Sequence, residues 1–206
     1  MPNTGRLPEP QRSAGRPRSF DVNEVLDKAI SVFTERGYQA ASISELAAAT
    51  GLTAGSIYKA FGDKRGMFLA AMARYKLLGN VRRDAGIAKA ATGRGRVRAL
   101  LDYYAENSHG ESGIRGCLII GAAVELALFD EDAASKVSAH QQHTFQLIET
   151  SIREGRADGS IGQHIDPDQS ARAMFCFMQG LRIAGKTGQD RDAVMAAADA
   201  AMKILD

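Results

Sequence analysis

The sequence predicts an all-α protein of about nine helices, and three observations carry that reading. Apolar residues recur at three- and four-residue spacing along nearly the whole chain. Asp, Ser or Thr, which cap helix starts, stand just ahead of these runs, and glycine often stands just behind them. No segment shows the strict alternation of a half-buried strand, and the short joints between the first helices leave no room for one.

Residues 1–18 hold Pro2, Pro8, Pro10 and Pro17 with Gly5 and Gly15, which predicts a flexible arm unable to bury a core. Asp21 opens the first helix. It has capping-box spacing to Glu24, and Val22, Val25, Leu26, Ala29, Ile30 and Phe33 follow before Gly37 ends the run. Ser42 and Glu45 repeat that spacing ahead of Ile43, Leu46 and Ala47, and Gly51 closes the short second helix. Thr53 caps a third, from Ala54 to about Phe61, and Asp63 caps a longer fourth reaching about Asn80.

From Gly79 to Gly95 the apolar pattern fades. A loop or frayed helix is expected there, joining an N-terminal domain at 19–79 to a C-terminal domain at 80–206. In the second domain Val97, Leu100, Leu101 and Tyr104 share one face, and 110–116 reads as a glycine-rich loop. Leu118 to Phe129 is nearly all apolar, as in a buried helix. Val137, Gln141, Thr144, Ile148 and Ile152 line a long helix, with Gly155, Gly159 and Gly162 in the loop after it. Pro167 starts a helix carrying Ala171, Met174, Phe175, Met178 and Leu181. Asp190 caps the last, with Val194, Ala197, Ala201, Ile204 and Leu205.

Composition narrows the function classes. The chain has 206 residues, 45% apolar and 24% charged, an ordinary globular balance for one large domain or two small ones. No apolar run approaches the roughly 18 residues of a membrane span. The first twenty residues lack the apolar segment of a secretory signal. Two cysteines, Cys117 and Cys176, make no disulfide framework, so a reducing cytoplasm is expected, with no membrane partner. Residues 1–80 carry 11 Lys and Arg against 7 Asp and Glu, whereas residues 81–206 carry 15 against 17. The basic third points to a polyanion partner.

Residues 42–61, SISELAAATGLTAGSIYKAF, read as a helix–turn–helix. Ala47 is small enough for a close crossing, Gly51 turns the chain, and Leu46, Leu52 and Ile57 pin the two helices together. The second helix presents Ala54, Gly55, Ser56, Tyr58 and Lys59. Such a slim polar face suits a major groove about 12 Å wide, and the helix N-terminus favours phosphate.

Residues 20–75 resemble the DNA-binding domain of the tetracycline-repressor (TetR) family. The matching residues are Phe33-Thr-Glu-Arg-Gly-Tyr38, Ser42, Ile43-Ser-Glu-Leu-Ala47, Gly51-Leu-Thr-Ala-Gly-Ser-Ile-Tyr58, Phe61, Lys64 and Phe68. Gly15-Arg-Pro-Arg18 resembles the arm of many members. The resemblance implies a three-helix reader tied by a helix to an all-α effector-binding and dimerisation domain. The function it implies is a homodimeric repressor, not an enzyme, that needs no cofactor or metal. It would leave a roughly palindromic double-stranded operator when a small apolar or aromatic effector binds.

Position by position, the resemblance implies phosphate contacts from Ser42, Thr53, Tyr58 and Lys64. Base-edge contacts would come from Ala54, Ser56 and Lys59, and Gly55 would permit close backbone approach. Arg16 and Arg18 would lie in the minor groove. The expected effector pocket comprises Tyr103, Tyr104, Cys117, Ile120, Phe145, Phe175 and Met178, with Glu125 and Arg182 as the plausible partners of a charged ligand. The last two helices would dimerise through Gly180, Ala197, Ala200 and Ala201 with Met178, Leu181, Ile204 and Leu205.

Three further signals compete. Gly180-Leu-Arg-Ile-Ala-Gly185-Lys186-Thr187 satisfies the phosphate-loop pattern and makes a nucleotide-binding enzyme the remote alternative. Apolar Leu181 and Ile183, and the absence of strand patterns, favour a helix end capped by Gly185. His140 and His143 are spaced as half a metal site but read as a solvated face. The Gly-Cys-Leu segment at Cys117 resembles one TetR branch, some of whose members sense electrophiles or oxidants through that cysteine. A thiol at a helix start beside Arg115 sits in positive potential, and simple packing is the competing reading. Cys176 is expected in the core or a pocket wall.

Overall fold

The structure, a computed structural model, describes residues 20–206. The basic arm, with Arg16 and Arg18, lies outside the described residues. Among those residues there are ten α-helices and no strand. The reader comprises α1 (Val22–Ala40), α2 (Ile43–Thr50) and α3 (Ala54–Phe61). Then come α4 (Lys64–Ile87), α5 (Gly93–Glu106), α6 (Gly110–Arg115) and α7 (Leu118–Glu125). Last come α8 (Glu131–Asp158), α9 (Pro167–Ala184) and α10 (Arg191–Ala201), with short 3-10 turns after α9 and α10.

Local signals set most of these boundaries. Asp21, Ser42, Thr53, Asp63, Asp130, Asp166 and Asp190 each accept a backbone N–H at a helix start. Asp21 does so from Asn23 and forms no reciprocal box with Glu24. Gly37 breaks the helical path of α1 at φ 80°, a conformation costly for any other residue.

Four boundaries differ from the sequence reading. Helix α4 continues to Ile87, because Arg83 does the packing there. It is buried, and its guanidinium meets Asp84 at 2.9 Å and His143 Nε2 at 3.2 Å. The supposed glycine loop contains α6, whose Gly113 lies so close to the Ser108 backbone that a Cβ would crowd it. Helix α7 stops at Glu125. Leu118, Ile119 and Ala122 are buried, whereas Val124, Leu128 and Phe129 are exposed, since apolar composition does not say which face meets a neighbour. Gly155 lies inside α8, where α5 crosses it so closely that a Cβ on Gly93 would strike the Gly155 backbone.

Two hydrophobic cores result. The distal one gathers α5, α8, α9 and α10 around Leu100, Leu101, Ile148, Ile152, Met174 and Met178. The proximal one holds Phe33, Leu46, Ile57, Met67, Phe68 and Met72 of the reader and α4. It also takes in Leu118, Ile119, Ala122 and Leu126 around α7, and Ala133 and Val137 of α8. Phe33 and Phe68 meet edge to face with centroids 5.0 Å apart.

Polar ties follow the same route. Glu125 Oε2 accepts the Gln39 N–H at 2.9 Å, and Lys186 Nζ donates to the Thr34 carbonyl at 3.1 Å. Arg65 reaches Asp130 at 2.5 and 2.8 Å and Asp132 at 2.6 Å.

The expected dimer seam is split: Gly180, Ala200 and Ile204 are exposed and Ala197 is half-buried, but the other four residues are not at the surface. Met178, Leu181, Ala201 and Leu205 are buried inside the distal core. The outward face of α9 carries instead Ala173, Cys176, Gly180, Ile183 and Ala184. Cys176 is therefore exposed on the wall of a surface groove and not in the core. Helical period identified the apolar face of α9 but could not tell a protomer's core from a seam between protomers.

Candidate nucleic-acid interface and effector cleft

The helix–turn–helix is held from within. Ser42 Oγ accepts from the Glu45 N–H at 3.2 Å, while Glu45 Oε2 accepts from the Ser42 N–H and Oγ, both at 2.9 Å. These bonds hold the Glu45 carboxyl below its ordinary range. Gly51 takes the left-handed conformation at φ 74° and turns the chain. Thr53 Oγ1 accepts from the Ser56 N–H at 3.2 Å and opens α3. Leu46 and Ile57, both fully buried, fix the crossing.

That anchoring turns the other side of α3 outward. Ala54, Gly55, Tyr58 and Lys59 are exposed, with Thr53 at the helix start and Ser56 half-buried beside them. Lys64, expected to contact phosphate, is engaged within the protein in the absence of DNA. Its ammonium donates to the carbonyls of Tyr38 at 2.9 Å, Gln39 at 3.3 Å and Ala41 at 3.0 Å, and lies 4.5 Å from the Tyr38 ring centroid. With three donors on three carbonyls, it clamps the end of α1, and a phosphate would have to compete for it.

The C-terminal half of α4 lines a different feature. A cleft of about 440 Å³ opens between α1, α4, α5, α6 and α9, bordered by Tyr75, Gly79, Tyr103, Asn107, Arg115 and Arg182. A recess of about 40 Å³ shares Tyr75, Gly79, Tyr103, Asn107 and Arg182 and reaches Tyr104, Cys117 and His140. Tyr103, Tyr104 and Cys117 are thus brought together. Ile120 lies in a separate cleft of about 530 Å³ between α1 and α7, to which Cys117 and Arg182 also contribute.

Phe145 and Phe175 line a surface groove between α8 and α9 beside Cys176, with the Arg172 guanidinium 5.0 Å from the Phe145 ring centroid. Met178 is fully buried in the distal core. The expected pocket is therefore corrected: Ile120, Phe145, Phe175 and Met178 do not join the tyrosines.

The cleft is more polar than expected. Burial above all raises Tyr75, Tyr103 and Tyr104, so all three stay protonated phenols at neutral pH. Burial first, then Lys76, Arg83 and His143, lower His140 to about 4, so it is neutral there as well. His143 Nε2 faces Arg83 and serves as its acceptor. Tyr75, Asn107 and Arg83 escaped the sequence reading. Tyr75 and Arg83 lie on α4 and Asn107 caps the end of α5, positions whose period gives no sign of a cleft.

The phosphate-loop pattern is spent on helix. Gly180–Ala184 form the last turns of α9 and Gly185 caps them, so most backbone amides of the segment are engaged within the helix. Lys186 is engaged with Thr34, as above. Among the described residues no helix is long and apolar enough to cross a membrane.

Comparison with known proteins agrees with this geometry. A family model described as bacterial regulatory proteins, tetR family, matches residues 25–71. A second, described as a tetracyclin repressor-like C-terminal domain, matches residues 93–201. The HTH-type transcriptional repressor ComR of Escherichia coli is 27% identical over 197 residues, covering 94% of this chain and 93% of ComR. A cysteine-substituted form of the TetR family regulator CifR, complexed with 26-base-pair operator DNA, superposes with a TM-score of 0.80 at 31% identity. That match covers 91% of this chain and 98% of CifR. A TetR regulator from Chloroflexus aurantiacus, 24% identical, shares the fold with a TM-score of 0.79.

Proposed function

The chain belongs to the TetR family of bacterial regulatory proteins, DNA-binding transcription regulators and not enzymes, and from that premise we propose that it is a cytoplasmic homodimeric repressor. A small molecule in the cleft between α4, α5, α6 and α9 releases it from a roughly palindromic operator. The observation that carries this reading is the slim, exposed face of α3, seated on the helix whose far end lines the cleft.

Helix α4 has 24 residues, about 36 Å at 1.5 Å per residue. Its first turns hold α3 through the proximal core, and Tyr75 and Gly79 border the cleft. A ligand that spreads α4 from α5 therefore re-aims the reader. Two readers in a dimer must sit about one helical turn of DNA apart, roughly 34 Å. The ligand weakens operator binding only insofar as it favours a state with another spacing. Ala54, Ser56 and Lys59 read base edges, while Thr53 and Tyr58 hold phosphates.

The dimer seam belongs to the outward faces of α8 and α9. Ala173, Cys176, Gly180 and Ala184 are small and let helices approach closely, and Phe145 and Ile183 supply apolar area. Gly180 has open space where a Cβ would stand, so Gly180→Arg leaves the protomer fold intact. It is expected to yield monomers by light scattering and to cut operator affinity at least about tenfold. Selection of bound genomic fragments by the purified wild type tests the whole reading, and fragments sharing no two-fold-related sequence would defeat it.

A second reading rests on Cys117, which shares the recess with Tyr75 and Arg182. If its thiol is the sensor, Cys117→Ser binds operator normally and stays bound when an electrophile or oxidant is added. A reversible pocket still releases DNA in that variant.

A further inference from the structure

Among the described residues two arginines are buried, and they are served very differently. Arg83 meets Asp84 and His143. Arg182 is 5% exposed, donates through Nη2 to the Gly116 carbonyl at 2.7 Å, and has no hydrogen-bond partner for Nη1. Among the described residues no carboxylate pairs with it. Asp27, on the cleft wall, is engaged by Arg74 at 2.6 and 2.5 Å, and Glu125 is engaged by Gln39. The other charges on the wall, Arg82 and Arg115, are exposed cations.

A buried guanidinium without a counter-ion is unfavourable unless something supplies the charge. Its planar fork matches a carboxylate in two parallel hydrogen bonds. A neutral apolar ligand would leave Nη1 unserved. We propose that this cleft binds a small carboxylate anion, its carboxyl group received by Arg182 with Tyr75, Tyr103 and Asn107 around it. The inference rests on the reading of the cleft as the effector site and names the effector's chemistry.

The cleft admits an acid of a few carbons or a single aromatic ring, with Ile30 and Leu78 to meet its apolar part. A carboxylate that engages both terminal nitrogens competes with the Gly116 carbonyl for Nη2. Gly116 directly precedes Cys117, the residue at the start of α7, and α7 is built into the proximal core. Ligand and reader are thereby coupled through one hydrogen bond.

Calorimetry on the full-length dimer tests the proposal with acetate through octanoate, benzoate and pyruvate, each compared with its neutral amide. At least one acid is expected to bind about tenfold tighter than its amide. Arg182→Met should abolish that preference and Arg182→Lys should keep part of it. Circular dichroism and light scattering check that both variants fold and dimerise, and if Arg182→Met does not, a full preference in Arg182→Lys overturns the proposal. Acids and amides binding alike, no acid binding at about 10 mM, or unchanged preference in Arg182→Met would also overturn it. Selective binding without any change in operator affinity, read by fluorescence anisotropy, would uphold the carboxylate site and refute the effector reading.

Discussion

The two cores are built on opposite plans. The distal core uses α5, α8, α9 and α10, all from beyond residue 92 of the sequence, and reads as an ordinary helical bundle. The proximal core joins three short or interrupted helices of the reader to α4, α7 and the start of α8. Neither α2 nor α3, at eight residues each, could hold its shape alone in water. The difference teaches that the reader is not a detachable module. It is completed by residues that lie beyond the division at 79.

The sharpest way to break this contrast is to truncate a side chain in each core. Leu118→Ala and Met174→Ala should each cost about 2–5 kcal/mol, as large-to-small changes at fully packed sites do. Urea unfolding should stay a single transition for both. Their effects on DNA should part, however. Below its melting range Met174→Ala should retain operator binding, whereas Leu118→Ala should lose most of it. A separate, unshifted transition for the reader in Leu118→Ala would show that the shared core is not cooperative.

Lys64→Met gives a smaller effect and tests the clamp on α1. It leaves the Tyr38, Gln39 and Ala41 carbonyls without their donor, and about 1–2 kcal/mol of stability should go with it. If Lys64 keeps these carbonyls when DNA is bound, the salt dependence of DNA binding should not change. A slope lower by about 1 would mean that Lys64 leaves the carbonyls for a phosphate.

Smaller still is the tie at Asp130. Arg65 chiefly, and the Ala133 N–H next, lower its carboxyl from 3.8 to about 2. An acid group depressed in the folded state adds stability above its unfolded value and surrenders it as pH falls. The stability difference between wild type and Asp130→Asn should therefore be full above about pH 4 and shrink towards pH 2. A pH-independent difference in urea midpoints would remove charge from the account of this tie.

Lys59→Ala should barely move stability, by less than about 0.5 kcal/mol, since its side chain is exposed. Its effect should appear only as relaxed preference at one base position of the operator.

The reader was legible because its signals are local. Capping at Ser42, Thr53 and Asp63, the left-handed Gly51, and the spacing of Leu46 and Ile57 each act within a few residues. The same local rules failed where packing is polar or glycine-mediated, as with Arg83 in the last turns of α4 and Gly113 in α6. The cleft was only partly legible for a related reason. Tyr103, Tyr104 and Cys117 do share it, but Phe145, Phe175 and Met178 carry an equally apolar pattern and face a surface groove or the core. Sequence period marks a face, and only the tertiary arrangement decides what that face meets. Arg182 stood out for its charge alone, and its unserved nitrogen is a property of the assembled fold.

The crossing of Gly93 and Gly155 has a mechanical consequence. There α5 is pinned at its first turn, with the Gly93 N–H on Asp158 at 2.7 Å, the Arg94 N–H on Ser160 Oγ at 3.2 Å, and two backbones in near contact. A helix that pivots there moves most at its other end, which the core around Leu100, Leu101 and Tyr104 otherwise holds. Tyr103 lies ten residues on, about 15 Å along the axis. A tilt of about 5° at the glycines carries its ring about 1.3 Å, enough to make or break a hydrogen bond. Any side chain at Gly93 would shift the fulcrum itself.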